Sequence, residues 1–209
     1  MVNYKLTYWN GRGYAEAIRQ VFHLAEVPFE DVRLEHGDGS WEQLKPKTPF
    51  GQIPVLSVDG FEIPQSMAIL RYISRKYGFA GKTPEEEAWV DAIVDQYKDF
   101  MTPLREYIYA TLLNKPAEEV ERIRKEVTNP ARDTYFKIIT GILEKSKSRY
   151  LVGDSVTFAD LVVIDNLLSL ETQGFFPKDE YPKIAEFQKK IQNLPKLKEY
   201  LATRPETPF

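Results

Sequence analysis

Tyr8 closes a stretch, Tyr4-Lys5-Leu6-Thr7-Tyr8, whose polarity alternates as in a strand, and Asn10-Gly11-Arg12-Gly13 follows as a turn. A phenol at the end of a strand, beside a glycine-rich turn, reaches a cleft. Staying protonated at neutral pH, it has one hydrogen bond to donate. A lone tyrosine on a half-buried strand is ordinarily a core residue, so a chemical role needs company. One group that can supply it is Gln65-Ser66, which precedes a helical stretch. A helix start offers free N–H groups and the positive end of a dipole to an anion. Other chemistry is excluded outright. The chain has no cysteine, hence no thiolate nucleophile, redox pair, disulfide framework or cysteine zinc site. Its two histidines, His23 and His36, are too isolated to suggest a metal centre.

The elements that must carry these residues follow from periodicity. After the first strand, Tyr14 to Ala25 reads as a helix with Ile18, Val21, Phe22 and Ala25 inward and Glu16, Arg19 and Gln20 on the other side. Pro28 ends it, and Phe29 to Leu34 forms a second strand. A short helix at Trp41 to Lys45 precedes Pro54, which stands just before a strand, where its missing N–H is tolerated. Strands at Val55 to Val58 and Phe61 to Ile63 flank Asp59-Gly60, a type I′ hairpin signal because both residues must take positive φ. A helix then runs to about Tyr77. Gly78 to Pro84 has linker composition, and beyond it strand signals nearly vanish. Helices are predicted over 85–113, with a bend at Pro103, and over 116–145. Thr157 and Asp160 form a capping box, with Val156 stapled to Leu161, for an apolar helix through Leu168. Two shorter helices complete the chain, at 183–193 and 195–202. The predicted organisation is an α/β domain over 1–78 with a four-stranded mixed sheet in the order β-α-β-α-β-β-α, a linker over 79–84, and an all-α helical domain over 85–209.

The 28 basic and 31 acidic residues give a net charge of −3, which argues against a nucleic-acid surface. No apolar run reaches membrane-spanning length and the first residues lack a signal-peptide core, so the expected address is cytoplasmic.

Five segments, in this order and spacing, resemble the cytosolic glutathione transferases of the sigma class, and in particular the sigma-like (nu-type) enzymes of nematodes. They are Asn3-Tyr4-Lys5-Leu6-Thr7-Tyr8-Trp9, Arg12-Gly13-x-Ala15-Glu16-x-Ile18-Arg19, Pro49-Phe50-Gly51-Gln52-Ile53-Pro54-Val55-Leu56, Gln65-Ser66-x-Ala68-Ile69, and Val90-Asp91-Ala92-Ile93-Val94-Asp95. The resemblance covers the whole chain. It implies a thioredoxin-like first domain, a homodimer, a cis bond before Pro54, glutathione as co-substrate, and small hydrophobic electrophiles as acceptors. Two alternative roles remain beside conjugation: carriage of haem or other flat hydrophobic ligands, and glutathione-dependent prostaglandin isomerisation.

On this resemblance, Tyr8 is the catalytic residue and donates to the glutathione sulfur. The physical demand is modest. A free thiol has a pKa near ~8.5, and lowering it to about 7 requires roughly 2 kcal/mol. One hydrogen bond to a charged group supplies about 1.5–3 kcal/mol. The same resemblance places Trp41 and Lys45 at the glycine end, with Lys45 on its carboxylate. Gln52 is a contact, and the Ile53 backbone before Pro54 pairs with the cysteinyl unit as an added strand would. Gln65 and Ser66 take the γ-glutamyl carboxylate, and Asp99 reaches the γ-glutamyl ammonium of the neighbouring subunit. Trp9, Gly13, Tyr14, Met101, Leu104, Tyr107 and Phe209 are the expected walls of the electrophile pocket between the domains. Two departures stand out. Tyr14 occupies the place of an arginine that lies near the catalytic hydroxyl in many sigma-class sequences. Lys98 replaces an acid of the divalent-ion cluster that prostaglandin-isomerase members carry, so Asp95 and Asp99 are expected to hold no metal.

Overall fold

The computed structural model describes residues 2–207. The chain divides into two compact units, Met1–Ala80 together with Ile191–Phe209, and Gly81–Lys190.

The first unit is built on a four-stranded sheet. Strands β1 (Tyr4–Trp9), β2 (Glu30–Leu34), β3 (Val55–Val58) and β4 (Phe61–Pro64) lie in the order β2-β1-β3-β4. β1 and β2 are parallel, whereas β1–β3 and β3–β4 are antiparallel, so the sheet is mixed as predicted. Alternation along β1 buries Tyr4, Leu6 and Tyr8. A single 3-10 turn, Gly13–Ala15, leads into α1 (Glu16–Leu24), and α2 (Ser40–Leu44) is one short stretch before β3. Asp59 and Gly60 take φ of 50° and 90° in the hairpin, as a type I′ turn requires. Helix α3 (Ser66–Tyr77) packs against α1 and ends at Gly78 in the left-handed conformation. The Ile53–Pro54 bond is cis. This is the thioredoxin-like arrangement, with sheet and helices in the predicted order.

Helix α1 departs from its predicted pattern. Glu16, Arg19 and Gln20 stand on the side opposite the apolar stripe, yet Glu16 is 1% exposed and the other two are fully buried. The reason is non-local. The last helix, α9 (Pro195–Thr203), packs on α1, with Tyr200 stacked on His23 at 4.1 Å between ring centroids. Sequence reading placed everything beyond residue 84 in the helical domain. The contacts of α9 place this final segment with the first unit.

The second unit is helical. Helix α4 (Pro84–Leu112) starts at Thr83, whose side chain accepts from the Glu86 N–H, and it continues through Pro103. The predicted helix over 116–145 is three pieces: α5 (Ala117–Ile123), a wider-wound π turn over Arg124–Thr128, and α6 (Asn129–Lys145). Pro130, which lacks an amide hydrogen, falls directly after the π turn, where the helical hydrogen-bond pattern changes. Helix α7 (Phe158–Thr172) is the core of this unit, apolar around most of its circumference and buried from Phe158 to Leu167. The predicted capping box is present: Asp160 accepts from the Thr157 N–H at 2.7 Å, and additionally from the Leu151 N–H at 2.9 Å. Helix α8 (Pro182–Gln192) follows. Among the described residues, no helix is long and apolar enough to cross a membrane.

Candidate functional site

Register brings the predicted residues of the first unit to one end of the sheet. Thr7 faces Val55 across β1–β3, and Val55 faces Pro64 across β3–β4. The residues just outside those pairs are Tyr8, Pro54 and Gln65. The end of one strand, the start of the second and the end of the third therefore deliver Tyr8, Ile53-Pro54 and Gln65-Ser66 to the same rim.

Tyr8 is 8% exposed, and its Oη accepts a hydrogen bond from the Tyr14 backbone N–H at 3.2 Å. An oxygen that accepts from an N–H is polarised towards donating its own proton. The sequence departure at Tyr14 therefore leaves one polarising contact in place, because it is made by the backbone and is blind to the side chain. Gly13 lies directly against this hydroxyl. It has φ of +39°, and a Cβ there would fall 2.6 Å from Tyr8 Oη and 3.2 Å from Cε1. Only glycine leaves the phenol room.

At the start of α3, Ser66 is the first helical residue and Gln65 the one before it. Gln65 holds φ 72° and ψ 112°, a conformation rare for a residue with a side chain. Its side chain does not cap the helix; Nε2 donates instead to Gln52 Oε1 at 3.2 Å. The start of α3 thus lies at the rim that carries Ile53-Pro54. Gln52 and Gln65, both predicted contacts, are brought together, and their bond fixes two exposed amides relative to the helix end.

Trp41 meets Trp9 edge-on with ring centroids 5.6 Å apart, and His36 stacks on the other partner of that pair, Trp9, at 4.1 Å. The stacking of His36 was not foreseen; no short-range pattern links positions 9 and 36. The Lys45 stem lies 3.8 Å from where a Cβ on Gly51 would sit, while its ammonium end is on an exposed residue. Gly51 itself takes φ +62°.

In the second unit, Asp99 is exposed on α4. Met101 Sδ accepts from Asn166 Nδ2 at 3.9 Å, Leu104 is 2% exposed, and the Tyr107 ring stands edge-on to Phe175 at 4.8 Å. Asp95 pairs with Lys98 at 3.6 Å. Phe209, the last predicted pocket residue, lies outside the described residues.

Two family models match the chain. One, the glutathione S-transferase N-terminal domain, matches residues 4–75, and the other, the glutathione S-transferase C-terminal domain, residues 98–204. Glutathione S-transferase 4 of Caenorhabditis elegans is 48% identical over 207 residues, covering 99% of both chains. A Nu-class glutathione transferase from Haemonchus contortus superposes with a TM-score of 0.91 at 47% identity, covering all of both chains. A transferase of the hookworm Necator americanus, crystallised as a monomer, superposes at 0.92 with 46% identity, over 99% of this chain and 100% of its own.

Proposed function

Because this chain belongs to the glutathione S-transferase family, we propose that it transfers the thiolate of glutathione to hydrophobic electrophiles, with the Tyr8 hydroxyl holding the sulfur. The observation that carries this reading is the setting of that hydroxyl. Tyr8 Oη accepts from the Tyr14 N–H, and Gly13 keeps free the space beside it. A sulfur placed there receives the phenolic proton's hydrogen bond as its charge develops. The bond needs to supply only about 2 kcal/mol to make the thiolate abundant at neutral pH. Holding thiolate and acceptor together supplies much of the remaining acceleration.

The rest of the rim suits a peptide with a carboxylate at each end. The N–H groups at Ser66, with Gln65 and Gln52 beside them, take the γ-glutamyl carboxylate. The Ile53 backbone before Pro54, at the start of an antiparallel strand, pairs with the cysteinyl unit. Lys45 meets the glycyl carboxylate, and Trp41, braced by Trp9, covers that end. Trp9, Gly13, Tyr14, Met101, Leu104 and Tyr107 are assigned to the acceptor side; Phe209 completes the set named from the sequence. The finer assignments belong to the same proposal: a nu-type member of the sigma class, cytoplasmic, acting as a homodimer in which Asp99 serves the partner's γ-glutamyl ammonium, and without a metal. The names of the relatives favour transfer over haem carriage and prostaglandin isomerisation.

The test is conjugation of a generic aryl halide by the wild type and by Tyr8→Phe, with the pKa of bound glutathione read from thiolate absorbance. The variant is expected to lose about 10- to 150-fold in kcat/KM, the worth of one hydrogen bond to a charged group. Its bound thiol should titrate near the free value of ~8.5. Equal rates and equal titrations would refute the role of Tyr8.

A further inference from the structure

Arg19 is the largest fully buried side chain described, and its position in the middle of α1 needs explaining. Burying a guanidinium is expensive, and packing alone would be served by a leucine. Two of its donors go to the end of β1 and the turn that follows it. Nη1 donates to the Gly11 carbonyl at 2.6 Å and Nη2 to the Trp9 carbonyl at 3.5 Å, while Nε donates to Asp31 of β2 at 3.1 Å. The Trp9 carbonyl also accepts from the Gly11 N–H at 2.7 Å, and the Arg12 carbonyl accepts from Ala15 and Glu16. The turn is thus tied from within the core, and it is the turn that carries the Tyr14 N–H to Tyr8 Oη.

A second carboxylate competes for the same donor. Glu16 Oε2 lies 3.4 Å from Arg19 Nη1, farther than the Gly11 carbonyl, and Glu16 Oε1 is engaged elsewhere. Arg204, just beyond α9, donates to it at 2.6 Å. The hold on Glu16 from the far end of the chain leaves Nη1 to the turn.

We propose that Arg19 is the positioning residue for the Tyr8 hydroxyl, and that Arg204 sustains it by occupying Glu16. The proposal rests on the reading of Tyr8 given above. A guanidinium is suited to the task because its donors are fixed in one plane, whereas an ammonium has charge without a fork. Arg19→Lys keeps the charge and loses the fork.

The experiment measures the pKa of bound glutathione by thiolate absorbance, with kcat and KM for glutathione and a thermal melt for each variant. Arg19→Lys is expected to raise the bound thiol pKa by about 1 unit, a roughly fivefold loss of thiolate at neutral pH, and to lower kcat in parallel with KM little changed. Arg204→Gln is expected to lose about threefold in the same direction, and Arg204→Lys to recover part of it. A folded Arg19→Lys with wild-type thiol pKa and kcat overturns the proposal. Should Arg19→Lys fail to fold, Arg204→Gln and Glu16→Gln decide. Positioning predicts a rise in the first and no fall in the second. A mirror-image fall in Glu16→Gln would mark a plain through-space charge effect and overturn the proposal, as would an unshifted Arg204→Gln. Tyr8→Phe is the reference. If it shifts the thiol and the arginine variants do not, the positioning proposal fails alone. If Tyr8→Phe does not shift it either, the reading of Tyr8 has failed and this proposal falls with it.

Discussion

Replacing Gly13 by alanine adds one carbon atom and tests the site at its tightest point. The new Cβ would lie 2.6 Å from Tyr8 Oη, 3.2 Å from Cε1 and 3.3 Å from Cζ. Carbon and oxygen in ordinary contact need more than 3 Å, so one of the two must move by several tenths of an ångström. The ring is the tail end of a side chain buried in line with Tyr4 and Leu6, and it cannot swing freely. Gly13 also holds φ +39°, where a side chain costs about 1–2 kcal/mol. Displacing the hydroxyl forfeits its hydrogen bond to the thiolate, worth about 1.5–3 kcal/mol, or roughly 10- to 150-fold in kcat/KM. The backbone cost appears separately as a melting temperature lower by about 2–8 °C for a chain of this size. The assay is aryl-halide conjugation over a pH series alongside a thermal melt. The informative signature is an alkaline shift of the pH–rate profile towards that of Tyr8→Phe. A Gly13→Ala enzyme with wild-type kcat/KM and an unshifted profile would refute the claim that the space beside Oη is essential.

Two predictions concern stability. Burial pushes the Asp160 carboxyl from its ordinary 3.8 up to about 6, against the lowering pull of the Leu151 and Thr157 hydrogen bonds. The native state then holds a proton that the unfolded chain has released between about pH 4 and 6, so unfolding free energy should fall as pH rises through that window. Relative to Asp160→Asn, urea denaturation should show the wild type losing up to about 3 kcal/mol from pH 4 to 7; parallel profiles would contradict this. Tyr135 is 1% exposed, stacked on Phe100, and its hydroxyl finds no partner among the described residues. Tyr135→Phe should therefore leave stability unchanged or raise it by about 1 kcal/mol in the same assay, and a clear loss would reveal a partner for the hydroxyl.

What was legible in the sequence is what local physics writes there. Alternation marks β1, Asp59-Gly60 marks a hairpin, and Thr157 with Asp160 marks a helix start; each signal spans only a few residues. The polar side of α1 could not be read this way. A glutamate, an arginine and a glutamine in helical spacing normally mean solvent. Here they mean burial: Glu16 meets Arg204, 188 positions later, and Arg19 meets the Trp9 and Gly11 carbonyls and Asp31. The site was legible in its residue types and not in its mechanics. The Tyr14 contact to Tyr8 is made by a backbone N–H that no residue type announces. The positive φ of Gln65, between β4 and α3, is called for by nothing in its side chain. The convergence of Tyr8, Pro54 and Gln65 follows from register alone, which is visible only once the strands are paired.

The return of α9 to the first unit has a consequence for how the chain is made. Synthesis delivers the sheet, α1 and α3 early, then must deliver the whole of Gly81–Lys190 before the residues that cover α1 emerge. At about 5–20 residues per second, that interval lasts roughly 5 to 20 s. Throughout it Glu16 and His23 lack Arg204 and Tyr200. Of the two units, the one begun earlier on the ribosome is thus finished later, and a nascent chain stalled in that interval presents an open helix face to chaperones and proteases.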